Sequence, residues 1–101
     1  MSMFPFNFDY VAVPASTTKR LAPTGNPGDI LMNLVITPAT IGGGPVSIQD
    51  GANAAIVIMN TGTLQSLAPI SVNLGVSATQ PGGWSVITGA NVSAIASGRF
   101  T

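Results

Sequence analysis

Ile70-Ser71-Val72-Asn73-Leu74-Gly75-Val76-Ser77 places an apolar residue at every even position and a small or polar one at every odd position. Successive side chains of an extended chain point to opposite faces, so this stretch predicts a strand with one face in a core and the other in solvent. Upstream, Ile30-Leu31-Met32-Asn33-Leu34-Val35-Ile36 predicts a second strand. Ile30, Met32, Leu34 and Ile36 would share one side, and Leu31 and Val35 would require the far face to be covered as well. Further strands are expected at Val46 to Gln49, Ala54 to Met59, Trp84 to Thr88 and Val92 to Ser97, with a weaker one near Thr17 to Leu21. No segment carries a sustained apolar stripe at helical spacing.

Turn chemistry separates these runs: Asn26-Pro27-Gly28-Asp29, Gly42-Gly43-Gly44-Pro45, Asp50-Gly51, Asn60-Thr61-Gly62 and Pro81-Gly82-Gly83. Glycine supplies positive φ and proline pre-sets its own, so each cluster stops a strand for a stated reason. Asp50-Gly51, between Val46-x-Ile48 and Ile56-x-Ile58, reads as a hairpin. Short strands with turns at roughly ten-residue spacing indicate an all-β, single-domain antiparallel β-sandwich of jelly-roll or immunoglobulin-like type, with roughly seven or eight strands. Residues 1–101 would form that one domain, and residues 1–15 could form an extended N-terminal arm. Val46 to Asn53 also aligns with Trp84 to Asn91, 38 residues apart, with Ser, Gly, Ala and Asn coinciding. That similarity predicts two hairpins of one geometry, with Gly51 and Gly89 at equivalent left-handed positions.

Of the 101 residues, 6 % are charged and the net charge is zero; an ordinary domain is about 25 % charged. The six charges are Asp9, Lys19, Arg20, Asp29, Asp50 and Arg99, and there is no His, Cys or Glu. Acid–base and nucleophilic catalysis near neutrality draw on His, Cys, paired carboxylates or perturbed Lys, so an enzyme is not expected and no catalytic residue is assigned. Three scattered aspartates make neither a zinc nor a calcium site, so no metal and no cofactor are expected. Three basic residues against three acids argue against nucleic acid as a partner. The longest apolar run, Ala54 to Met59, is far too short to span a membrane. Met1 to Tyr10 lacks the basic and apolar regions of a secretory signal, so the chain is expected to stay in the compartment that makes it. Gly42-Gly43-Gly44-Pro45 is no phosphate loop, since it lacks the lysine and the helix that such a loop needs.

Phe4, Phe6, Phe8 and Tyr10 stand at alternate positions and would project to one side of an extended chain. They are the candidate assembly interface, either as a first strand on the chain's own core or as an arm docked on a neighbouring subunit; Pro5 favours an edge or an arm. Trp84, the one tryptophan, is a core anchor or, failing that, a secondary contact that stacks on sugar or forms an interface hot spot. Lys19-Arg20 guards an edge strand or meets an acidic partner. Asp50 is a turn residue. From Gly51 to Gly98 the chain has no charge at all, and long uncharged strands invite edge-to-edge association unless an oligomer or lattice covers them.

Val46-Ser47-Ile48-Gln49-Asp50-Gly51, Pro69-Ile70-Ser71-Val72-Asn73-Leu74, Gly82-Gly83-Trp84-Ser85-Val86 and Ser97-Gly98-Arg99-Phe100 together give residues 29–101 a style that resembles the small β-sandwich virion proteins of tailed bacteriophages, of the capsid decoration or cement type. The resemblance implies a non-enzymatic virion protein, assembled in host cytoplasm. It also implies a homo-oligomer, with a trimer favoured, that binds the major capsid protein or other virion proteins and stiffens the shell. It assigns no functional residue to a position here. Two alternatives compete: a carbohydrate- or receptor-binding module of a virion fibre or tip, resting on Trp84, and an adhesin-like subunit exchanging its N-terminal strand.

Overall fold

A computed structural model describes residues 9–63 and 65–101. They form eight strands: β1 (Asp9–Val13), β2 (Thr18–Arg20), β3 (Ile30–Pro38), β4 (Gly44–Asp50), β5 (Ile56–Met59), β6 (Ile70–Ser77), β7 (Trp84–Ala90) and β8 (Val92–Arg99). Two four-stranded sheets result, in the orders β1-β8-β3-β6 and β2-β7-β4-β5, and every neighbouring pair is antiparallel. The first strand pairs with the last, the second with the seventh, the third with the sixth and the fourth with the fifth. That nesting is one long antiparallel ribbon rolled into a sandwich, the jelly roll. The immunoglobulin order keeps the first two strands in one sheet, and here they lie in different sheets.

β6 occupies the predicted span, with Val72, Leu74 and Val76 half-buried and the odd positions exposed. In β3 the predicted face is wrong at its N-terminal half. Leu31, Leu34 and Ile36 are fully buried whereas Met32 is 39 % exposed, because the register with β6 and β8 shifts between Leu31 and Asn33. The bulge turns Leu31 inward and Met32 outward. The far face of β3 is not covered, contrary to expectation: Val35 is half-buried and Thr37 exposed.

β4 and β5 pair as the Asp50-Gly51 hairpin predicts, with residues 51–55 between them. The proposed equivalence of Gly51 and Gly89 fails. Gly51 has φ 55°, but Gly89 is absent from the positive-φ residues and lies inside β7. The left-handed residue beside it is Asn91, at φ 63°, which by itself carries the chain from β7 in one sheet to β8 in the other. Gly89 is needed for a different reason: a Cβ there would lie 2.2 Å from the carbonyl oxygen of Gly44 on the neighbouring strand.

Both sheets close on one core whose members include Leu31, Leu34, Ile36, Val46, Val86 and Trp84. Each such side chain contributes about 1.5–3 kcal/mol by leaving water. Residues 9–13 belong to this sandwich, since β1 pairs with β8 from Asp9–Gly98 to Val13–Ala94. The expected arm at residues 1–15 is corrected accordingly: its residues 9–13 are a strand of the chain's own sheet.

Candidate assembly surface

Phe4, Phe6 and Phe8 lie outside the described residues. Tyr10 is on β1, at the edge of its sheet, opposite Ser97. Val11 and Val13 point into the sandwich, so Tyr10 points out, and it is 76 % exposed. Its ring therefore does not seal the chain's own core.

β1 and β2 are edge strands of the two sheets on the same side of the sandwich. Between them runs an open groove of about 500 Å³. Tyr10, Val11 and Ala12 form one wall, and Lys19 to Pro23 form the other. The Lys19 ammonium donates to the Ala12 carbonyl at 3.4 Å, and the Arg20 guanidinium donates to the carbonyls of Gly82 and Thr24. Both cations thus sit at an edge strand, as a guard against strand pairing would.

Trp84 is corrected as a contact residue. It is 4 % exposed, and its indole N–H donates to the Asp29 carbonyl at 3.2 Å, so its face packs in the core and cannot stack on a sugar. Its position follows from the chain: Pro81-Gly82-Gly83 turns immediately before it, with Gly82 at φ 97° and Gly83 at φ 67°, and aims the first residue of β7 inward.

Two buried aspartates fasten the end of the sandwich that carries Trp84. The Asp29 carboxylate accepts from the Thr101 hydroxyl at 2.7 Å, the Thr101 amide at 3.2 Å and the Asn26 amide at 3.3 Å. Asp50 accepts from the Thr79 hydroxyl at 2.6 Å, the Thr79 amide at 3.0 Å and the Gln80 amide at 3.1 Å. The Thr79 hydroxyl, helped by the two amides and opposed by burial, holds the Asp50 carboxyl below its ordinary range. Sequence reading treats Asp50 as a local turn former; its long-range grip on the β6–β7 connection is not visible in the Asp-Gly pair. Among the described residues no three His, Cys, Asp or Glu side chains cluster as a metal site, and no helix is long and apolar enough to cross a membrane.

Three cross-strand rows on the outer sheet faces carry no charge. Across the first sheet run the rows Tyr10–Ser97–Asn33–Asn73 and Ala12–Ile95–Val35–Ser71. Across the second runs Thr18–Ile87–Ser47–Val57. On the side away from the groove, the edge strands β5 and β6 present Ile56, Val57 and Ile70 to solvent without a charged residue. The chain matches no protein-family description, no characterised protein and no solved structure. What the geometry offers chemically is contact: neutral, partly apolar faces and edges that cost little to desolvate.

Proposed function

We propose that this chain is a non-enzymatic structural protein of a tailed-phage virion, of the capsid decoration or cement type. In this reading it binds the major capsid protein or its neighbours as a homo-oligomer, with a trimer favoured. The observation that carries the reading is the uncharged part of the exterior: β5 and β6 hold an unguarded edge, and three cross-strand rows bear no charge. A free monomer gains nothing from leaving such edges open, whereas an assembly covers them and multiplies weak contacts by avidity. The double-sheet jelly roll supports the reading by fold analogy, since that architecture serves viral capsid domains; it serves lectins too, so the analogy alone does not choose. The burial of Trp84 weakens the sugar-binding alternative by removing the residue on which it rests.

The test is sedimentation of the purified full chain with tailed-phage shells, with its oligomeric mass measured alongside. Enrichment on particles at a stoichiometry set by shell symmetry is expected. A protein that stays monomeric and never enriches on particles would overturn the reading.

A further inference from the structure

We infer that the open edge of β2 takes up an extended acidic segment of a partner protein, two consecutive carboxylates of which meet Lys19 and Arg20; this rests on the reading above that the chain docks on other proteins. The formal net charge is zero, but burial removes two of the three acids from the exterior, since Asp29 is 3 % and Asp50 8 % exposed. The charged side chains left outside are Asp9, Lys19, Arg20 and Arg99, three cations against one acid. The exterior is therefore basic, and its electrostatic complement is an acidic partner. Among the described residues, Lys19 and Arg20 donate to the carbonyls of Ala12, Gly82 and Thr24 and to no carboxylate, so both keep their full charge for that partner.

The backbone of β2 is set for strand addition. Just before β2, Thr17 and Thr88 exchange N–H···O bonds at 3.2 and 2.8 Å, and just after it the Leu21 N–H donates to the Trp84 carbonyl at 3.0 Å. Residues of an antiparallel pair alternate between facing the neighbouring strand and facing away, so Thr18 and Arg20 turn their N–H and C=O groups away from β7. β2 ends its sheet on that side, which leaves those groups open to an incoming strand. Lys19 lies opposite the buried Val86, and Arg20 lies opposite Ser85. The two side chains therefore leave β2 on opposite faces, and Lys19 reaches across the groove to the Ala12 carbonyl. Cations on opposite faces of one strand match a pleated peptide, whose neighbouring side chains diverge in the same way. The partner's two acids are accordingly adjacent in its sequence, each opposite one cation.

Two measurements on the full chain test this. The peptide acetyl-Thr-Val-Glu-Glu-Val-Thr-amide and its neutral twin, acetyl-Thr-Val-Gln-Gln-Val-Thr-amide, are titrated into isotope-labelled protein and followed by NMR. The acidic peptide should bind about tenfold more tightly than its twin, shift the Thr18 and Arg20 amides, and lose that advantage on Lys19→Gln/Arg20→Gln. Equal binding of the two peptides, shifts centred on the β5–β6 side, or no binding of the acidic peptide overturns the inference. In sedimentation with tailed-phage shells, Lys19→Glu/Arg20→Glu should lower the bound fraction at least about tenfold with circular dichroism unchanged. Shells that bind the natural and charge-reversed chains equally overturn the inference and leave the assembly reading standing. A natural chain that enriches on no shell overturns the assembly reading, and the peptide titration still decides the acidic site.

Discussion

At the scale of single residues, the few ionised groups are placed as internal fasteners. Asp50 is buried and accepts three hydrogen bonds from Thr79 and Gln80, 29 and 30 residues away in sequence. Bonds to an ionised partner contribute about 1.5–3 kcal/mol, so Asp50→Ala should destabilise the fold by about 2–3 kcal/mol, read as a lower urea midpoint. The pH dependence has a definite sign. Because the folded-state pKa of Asp50 lies below the unfolded value of about 3.9, its stabilisation is fully present above that value and is lost as pH falls through the folded pKa. The gap in urea midpoint between the natural chain and Asp50→Asn should therefore hold constant from pH 5 to 7 and shrink below about pH 4. A gap that widens on acidification would show that Asp50 is not held as a carboxylate. Trp84 offers a second check at this scale: buried and bonded to Asp29, its emission should be blue-shifted in the folded chain and unmoved by oligosaccharides.

At the scale of elements, legibility followed locality. β6 could be read to its ends because one of its faces meets the core and the other meets solvent, so alternation alone defines it. β3 could not, because its register shift exists only in its pairing with β6 and β8, strands distant in sequence, and Gly75 at φ 65° on β6 lies opposite it. No window around Met32 contains that information. The pairing of Gly51 with Gly89 misled for a related reason. Glycine has two uses, a positive φ and a missing Cβ, and sequence does not distinguish them. The structure does, and it separates the expected effects of substitution. Gly89→Ala forces a methyl against the Gly44 carbonyl and should cost about 2–3 kcal/mol as an overpacked contact. Asn91→Val places a β-branched residue at φ 63° and should cost about 1–3 kcal/mol as backbone strain. Asn91→Gly should be nearly neutral, since glycine accepts that conformation freely. Thermal melts of the three variants give the ranking; equal losses from Asn91→Val and Asn91→Gly would show that the Asn91 side chain, not its backbone angle, holds the corner.

At the scale of the whole molecule, charge is distributed by side. Asp9, Lys19 and Arg20 gather at the β1–β2 edges, Asp29 and Asp50 are buried, Arg99 is exposed at the end of β8, and the β5–β6 edges have none. Composition announced the scarcity of charge but not this division, because the first and last strands become neighbours only once the ribbon rolls up. The division makes the neutral faces testable apart from the fold. Ile95 and Val57 are exposed at the centre of one outer face and at the edge of the other. A lysine at either position meets solvent in the free chain, so Ile95→Lys and Val57→Lys should change stability by no more than about 0.5 kcal/mol. If those faces meet other virion proteins, the same lysines are desolvated without a partner on binding, and a buried unpaired charge is costly. Each substitution should then lower the fraction sedimenting with shells at least about tenfold while melting temperature holds. Undiminished sedimentation of both variants would remove the neutral sheet faces as the contact and leave the β1–β2 side to carry assembly.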